Sequence, residues 1–253
     1  LPTMRPIPER NGRKTVALAR PEAIVFDMGG VLSDPVDSYD AENFAKSFPE
    51  GLPEDAPLEW FLGMSQDCLD RYLRIEPPRP PFDIRPVIGE WLARRGLSAD
   101  ADEVEKWHRA MTRWEVRPVY PFVRDTLAEL KRMGLKLGVV SNVLVPGDQH
   151  RERFRRDGIL EFFDATVFSA EFGLAKPHPS MFRHVLERLG VPPSKAWYVG
   201  DKPHRDVRGA HGVGMTAVLV DSPHADRIQD APENVPELRI RNISELPDVV
   251  RRT

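Results

Sequence analysis

The sequence predicts an α/β fold: a parallel, Rossmann-like sheet core interrupted near its start by an all-helical insert. Three observations predict it. From about residue 118 onward, short apolar runs alternate with stretches of helical periodicity. One strand-like run, Ala23-Ile24-Val25-Phe26, stands far ahead of the others. The intervening stretch 35–117 carries helical stripes and no strand-like alternation. Strands alternating with helices of this length imply a parallel sheet with right-handed crossovers, covered on both faces.

The first twenty residues carry Arg5, Arg10, Arg13, Lys14 and Arg20 against Glu9 alone, with no apolar segment of the kind a secretory signal needs. Residues 1–20 are therefore expected to form a basic, poorly ordered arm, and 21–34 with 118–253 to form the core. The strand at 23–26 ends at Asp27, after which Gly29-Gly30 permits a tight backbone excursion. In the insert, Phe61, Met64, Cys68 and Tyr72 fall on one helical face. Ile84, Val87, Ile88, Trp91 and Leu92 make a second stripe, and Val104, Trp107, Met111 and Trp114 a third. Pro53, Pro57 and the run Pro77-Pro78-Arg79-Pro80-Pro81 punctuate these helices, the last as a rigid connector.

After Pro118, a helix is expected over 121–133 with Val123, Leu127 and Leu130 inward, stopped by Gly134. Strands are expected at 136–140, 164–168, 196–199 and 216–220, with 238–240 a candidate for one more. Helices near 149–156, 181–189 and 205–210 separate them.

With 253 residues, 41% hydrophobic and 30% charged, the chain can bury one sizeable domain, or one domain with a smaller one inserted. A formal net charge of −3 offers no broad electrostatic reason to expect a nucleic-acid partner. No apolar run approaches the ~20 residues of a spanning helix, so no membrane partner is expected. The single cysteine, Cys68, excludes an internal disulfide and fits a reducing, cytoplasmic compartment. The seven histidines show no metal-ligand pairing such as H-x-x-x-H.

The chemistry is concentrated in two acidic stretches, Phe26-Asp27-Met28-Gly29-Gly30-Val31-Leu32 and Val199-Gly200-Asp201 followed by Asp206. A carboxylate at the C-terminal end of a parallel strand sits at the mouth of an open sheet, so two such strands can present Asp27 and Asp201 to one crevice. Carboxylates gathered in that way suit a hard cation such as Mg²⁺. Between them lie Leu137-Gly138-Val139-Val140-Ser141-Asn142 and Gly173-Leu174-Ala175-Lys176-Pro177. Four stations in this order resemble the haloacid dehalogenase superfamily, whose members are mostly Mg²⁺-dependent phosphatases. The resemblance runs from about residue 23 to 220, and its specificity lies in the order and spacing of the stations.

The resemblance implies that the first strand is central and that 35–117 is a helical cap. It makes Asp27 the nucleophile, which attacks phosphorus and forms an aspartyl-phosphate that water later hydrolyses. Mg²⁺ would be held by Asp27, the backbone carbonyl of Gly29, Asp201 and Asp206. Phosphate would be bound by Gly29, Gly30, Ser141, Asn142 and Lys176, with Ser141 and Lys176 also counted among the catalytic groups. The bland alternatives are a turn role for Asp27 and a dipole-complementing place in a first helical turn for Asp206.

Gly29 departs from the family pattern, in which a second Asp two residues after the nucleophile protonates the leaving group. Such assistance is typically worth about 10²–10⁴ in rate. Three explanations are open: a leaving group that needs little protonation, such as that of an acyl phosphate or sugar-1-phosphate; a proton from Asp34 or a cap side chain; or weak or absent catalysis. The leading expectation is a Mg²⁺-dependent phosphomonoester hydrolase acting on a small soluble phosphorylated metabolite. The alternatives are a 2-haloacid dehalogenase, for which Gly29 is no defect but Gly200-Asp201 is foreign, and a non-catalytic protein that binds a phosphate ligand.

Weaker candidates are His204, expected as a solvent-facing loop residue, and His150 with Arg151 near a substrate entrance. The run Arg151, Arg153, Arg155 and Arg156 reads as a solvated helix face. Trp60, Trp91, Trp107 and Trp114 could stack on a ligand, but three of them, Trp91, Trp107 and Trp114, complete apolar stripes, which favours core packing.

Overall fold

The structure, a computed structural model, describes residues 18–34, 58–74, 83–221 and 232–253. Six strands build the core: β1 (Ala23–Phe26), β2 (Lys136–Ser141), β3 (Ala165–Phe168), β4 (Ala196–Gly200), β5 (Thr216–Val220) and β6 (Leu238–Ile240). They form one parallel sheet in the order β3-β2-β1-β4-β5-β6. The first strand is thus central. From it the chain winds one way through β2 and β3, then returns past β1 to lay down β4, β5 and β6. The reversal opens a crevice at the carboxyl ends of β1, β2 and β4.

Because side chains alternate across a strand, β1 serves two cores at once. Ile24 and Phe26 pack with Val123, Leu127 and Leu130 on one face of the sheet. Ala23 and Val25 pack with Phe182, Val185 and Leu189 on the other. All four residues of β1 are fully buried, which is why the strand reads as a continuous apolar run. The helices that cover the sheet are α4 (Val123–Arg132), α5 (Gly147–Arg156), α7 (Pro179–Leu189), α8 (Arg208–His211) and α9 (Leu246–Arg251), with a short α6 (Ser169–Phe172) after β3.

The described part of the insert is helical, as its periodicity predicts: α1 (Leu58–Arg74), α2 (Arg85–Ala93) and α3 (Ala101–Glu115). Asp100 caps α3 by accepting the Glu103 N–H at 2.9 Å. Phe61, Met64, Cys68, Ile88, Trp91, Trp107 and Trp114 form their common core. Trp91, Trp107 and Trp114 are therefore packing residues, and Trp60 lies partly buried against them.

The expected arm falls mostly on 1–17, outside the described residues, as do 35–57, the connector 77–81 and the Tyr72 side chain. Of the arm's last residues, Leu18 packs partly buried against the sheet's first core, and Arg20 donates to the Met133 carbonyl at 3.3 Å. The expected helix at 205–210 is a π-helical turn, Pro203–Val207, running into α8. The strands β2 and β4 extend to Ser141 and Gly200, and α6 and α9 were not anticipated. Among the described residues, no helix is long and apolar enough to cross a membrane.

Candidate active site

The strand register brings the predicted residues to one edge. Phe26 pairs with Val139 on one side and Val199 on the other. The next residue, Asp27, still donates its N–H to Val199 at 2.8 Å before the chain turns away. Its Oδ1 accepts the Met28 N–H at 2.7 Å and the Ser141 hydroxyl at 2.9 Å, and lies 2.8 Å from Lys176 Nζ.

The turn that follows is closed by the N–H groups of Leu32 and Ser33 donating to the Met28 carbonyl, and by Gly30 N–H donating to Ser33 at 2.8 Å. Gly30 has φ of +78°, and a Cβ there would come within 2.3 Å of Asp201 Oδ2. Both the backbone and the neighbouring carboxylate therefore demand glycine. Gly29 pairs with Ser33 as an isolated bridge and brings no side chain to the crevice.

Lys176 is 4% exposed and fully paired. Its ammonium lies 2.7 Å from Asp206 Oδ1, 2.8 Å from Asp27 Oδ1 and 2.9 Å from the Tyr198 hydroxyl, three oxygens for three protons. Tyr198 in turn donates to the Val140 carbonyl at 2.9 Å. Burial, followed by the charges of Asp206 and Asp27, pushes the Tyr198 phenol well above its ordinary value, so it stays a neutral hydroxyl. The Lys176 backbone is held by Asn142, whose Oδ1 accepts the Lys176 N–H at 2.7 Å and whose Nδ2 donates to its carbonyl at 3.2 Å. The side chain of Asn142 thus braces the lysine's loop.

Asp201 and Asp206 follow β4. Asp206 Oδ2 accepts the N–H groups of Asp201 and Lys202 at 3.2 and 2.9 Å. A Cβ on Gly200 would come within 2.4 Å of the Asp206 side chain, so this glycine too is set by close approach. Burial pushes the Asp206 carboxyl up, but the charges of Lys176 and Arg205 and its hydrogen bonds outweigh that and hold it below the usual carboxylate range.

Asp201 is in the opposite situation. Burial first, then the charges of Asp27 and Asp206, push it up to about 8. Both of its oxygens are buried without a hydrogen-bond partner, and Lys202 Nζ comes no nearer than 3.8 Å. Ligand oxygens of Asp27, Asp201 and Asp206 lie within 4.8 Å of one another. Orphaned buried carboxylate oxygens beside two further carboxylates fit a hard divalent cation, which takes oxygen ligands and offsets their mutual repulsion.

The weaker candidates lie elsewhere in function. His150 is 1% exposed and stacks on Phe168 with ring centroids 5.2 Å apart. Burial and the Arg151 charge push it down to about 3, so it is a neutral packing residue. Arg151 pairs with Glu171, Arg153 with Asp157, and Arg155 and Arg156 with Glu152, which accounts for the basic run. His204 is half-buried in the π-helical turn rather than solvent-facing. Asp34 is exposed and holds the Tyr120 hydroxyl, which also lies in the field of Asp201. Sequence reading missed Tyr198, Lys202 and Glu115. The first two left a signal: polar side chains in and just after an apolar strand, at 4% exposure or less.

A glyceraldehyde 3-phosphate phosphatase from Methanopyrus kandleri is 41% identical over 133 residues, 52% of this chain and 56% of that protein. The chain thus spans little more than half the length of that relative. A ribulose-1,5-bisphosphate 5-phosphatase from Halopiger xanaduensis is 27% identical over 98% of this chain and 95% of its own. Among solved structures, a 2-haloacid dehalogenase from Pseudomonas syringae superposes with a TM-score of 0.62 at 26% identity, covering 91% of this chain and 98% of that one. The sequence model for haloacid dehalogenase-like hydrolases matches residues 21–214, a span that begins just before β1, ends just before β5 and contains every residue of the cluster around Asp27. With its strand order, its four stations and that match in agreement, the chain belongs to the haloacid dehalogenase-like hydrolase family.

Proposed function

We propose that this protein is a Mg²⁺-dependent phosphatase that hydrolyses a small phosphorylated metabolite through an aspartyl-phosphate on Asp27. The observation that carries this reading is the pairing of opposites around one crevice. Asp27 is held by Ser141 and Lys176, while Asp201 stands beside it with both oxygens unpartnered. Relatives along the whole chain and along half of it are named as phosphatases, which points the same way.

The three donors around Asp27 gather on Oδ1, which makes Oδ2 the attacking oxygen. A new Oδ2–P bond forms as the bond from phosphorus to the leaving oxygen breaks, and the electron pair departs on that oxygen. Water then attacks phosphorus as the Oδ2–P bond breaks, its electron pair returns to Asp27 as a carboxylate, and the proton shed by the water passes to solvent. Lys176 counters charge on Asp27 and the transferring group, a point-charge role suited to an ammonium. Ser141 fixes the rotamer of the nucleophile. Asp27, Asp201, Asp206 and the Gly29 carbonyl would hold Mg²⁺, which would supply the charge neutralisation that lets phosphate approach a carboxylate.

With no side chain at position 29, the reaction favours leaving groups that depart without full protonation, of which anomeric and acyl phosphates are examples. The dehalogenase alternative leaves the orphaned Asp201 oxygens without purpose, since attack on carbon with halide departure calls for no cation. Hydrolysis of an activated aryl phosphate tests the proposal. Turnover is expected with Mg²⁺, lost in EDTA and lost in Asp27→Asn. Undiminished turnover by that variant removes Asp27 from the mechanism, and chloride release from 2-chloropropionate in EDTA selects the dehalogenase reading.

A further inference from the structure

Four successive residues of the loop between β2 and α5 are fastened to three other parts of the molecule. Asn142 exchanges two hydrogen bonds with the Lys176 backbone. Val143 donates to Ser169 Oγ at 2.9 Å and accepts from it at 3.1 Å. Leu144 and Val145 donate their N–H groups to the two oxygens of Glu115, at 2.7 and 2.8 Å. Glu115 is the last residue of α3, so its carboxylate joins the cap to the loop that leaves the active-site strand. Val145, fully buried, is counted among the cap's own core beside Trp114 and Phe61.

We propose that Glu115 is a positioning residue: by clasping Leu144 and Val145 it ties the cap to the β2–α5 loop and so sets Asn142, and through Asn142 the Lys176 loop, against Asp27.

The physical case is one of acceptors and burial. Two adjacent amides, one part-buried at Leu144 and one buried at Val145, need partners, and no helix or strand supplies them, because β2 has ended and α5 has not begun. Ionised, as it is above about pH 7, a carboxylate with two oxygens matches two successive N–H groups, whereas an amide side chain would turn a donor toward one of them. Glu115 is only 8% exposed and, among the described residues, has no cationic partner. Displacing the cap must either break the clasp or drag the loop, and the loop is bonded to the lysine that contacts the nucleophile. The clasp stands on geometry alone; its effect on turnover rests on the phosphatase reading.

Amide hydrogen exchange on the full chain, read by mass spectrometry, tests the clasp without reference to activity. At pH 8, where Glu115 is ionised, exchange over 142–146 and at the Lys176 amide is expected to rise about tenfold in Glu115→Gln, the equivalent of one buried hydrogen bond, while β4 and β5 keep their protection. Faster exchange confined to 101–115, with 142–146 and Lys176 unchanged, overturns the proposal. In the unaltered chain, Leu144 and Val145 amides that exchange as fast as an exposed loop overturn it too, so the test survives a variant that does not fold. In parallel, kcat for p-nitrophenyl phosphate with Mg²⁺ is expected to fall about tenfold in Glu115→Gln, in proportion to the lost bond. Unchanged kcat beside raised exchange at Lys176 overturns the catalytic half of the proposal. Asp27→Asn serves as the control: if it retains full activity, the phosphatase reading fails while the exchange result still decides the clasp.

Discussion

Lys176 Nζ and Asp206 Oδ1 lie 2.7 Å apart, and each side chain is only 1% exposed. This buried pair neutralises one of the three clustered carboxylates and points the same ammonium at Asp27. Asp201 is left as the member whose oxygens have no hydrogen-bond partner, with Lys202 Nζ no nearer than 3.8 Å.

Lys176→Met leaves Asp206 and Asp27 buried without their counter-charge. Removing one partner of a buried pair is expected to cost about 3–5 kcal/mol of stability. Urea denaturation reads the loss, and a change below 1 kcal/mol would mean the pair is more hydrated than its burial implies.

Mg²⁺ is expected to raise the melting temperature of the unaltered protein, because a ligand at 100 times its Kd stabilises by about 2.7 kcal/mol. Asp201→Asn removes the charge that Asp201 carries above about pH 8, so at pH 9 the metal-free variant should melt higher than the metal-free parent and show little response to Mg²⁺. Differential scanning calorimetry with Mg²⁺ and with EDTA checks both halves. An equal Mg²⁺ response in the variant would place the cation elsewhere.

Gly30→Ala meets strain from a positive φ and from the Asp201 carboxylate 2.3 Å from the new Cβ. The left-handed backbone alone costs about 1–2 kcal/mol, and displacement of Asp201 should abolish the Mg²⁺-dependent rise in melting temperature. Thermal melts with and without Mg²⁺ separate the two effects.

Gly29→Asp supplies the carboxyl that the family pattern carries at this position. Hydrolysis of alkyl phosphates is expected to gain more than that of p-nitrophenyl phosphate, up to the roughly 10²-fold lower end of general-acid assistance. A Brønsted plot of rate against leaving-group pKa measures it, and parallel lines for variant and parent would dismiss a missing acid as the cause.

Glu115 makes stability depend on pH. Burial pushes its carboxyl from 4.5 up to about 7, against the two amide bonds that lower it. Between those values the folded chain keeps a proton the unfolded chain has lost, so the stabilisation is full below 4.5 and is lost as pH rises through about 7. Cys68 of α1 faces Glu115, but its thiol is pushed up to about 12 and stays neutral throughout this window. The loop 143–145 offers it only backbone amides. At roughly 1.4 kcal/mol per unit, the folded protein should lose up to about 3 kcal/mol relative to Glu115→Gln between pH 5 and pH 8. Denaturation midpoints of both proteins at the two pH values test the difference in slope.

The sheet and the cap helices were legible because they are written in local period. The apolar run of β1 is buried on both faces, and the stripes through Phe61, Trp91 and Trp107 recur at helical spacing, so neighbouring residues suffice to place them. Asp27, Ser141, Lys176, Asp201 and Asp206 were legible as a set because each stands at or near the end of a strand or a loop in a known order. Less visible were the turn at 203–207, whose π-helical form no periodicity announces, and the short α6 and α9, which hold too few residues to show a stripe.

The partners were a different matter. Tyr198 reaches Lys176 across 22 positions of chain, Glu115 reaches Leu144 across 29, and Ser141 reaches Asp27 across 114. A residue's own neighbours determine which backbone it prefers and which face it hides. They do not determine which distant group fills its last hydrogen-bonding direction. That choice is made when strands lock in register and helices close over them, and it left Asp206 paired and Asp201 bare although the two are five residues apart in the chain.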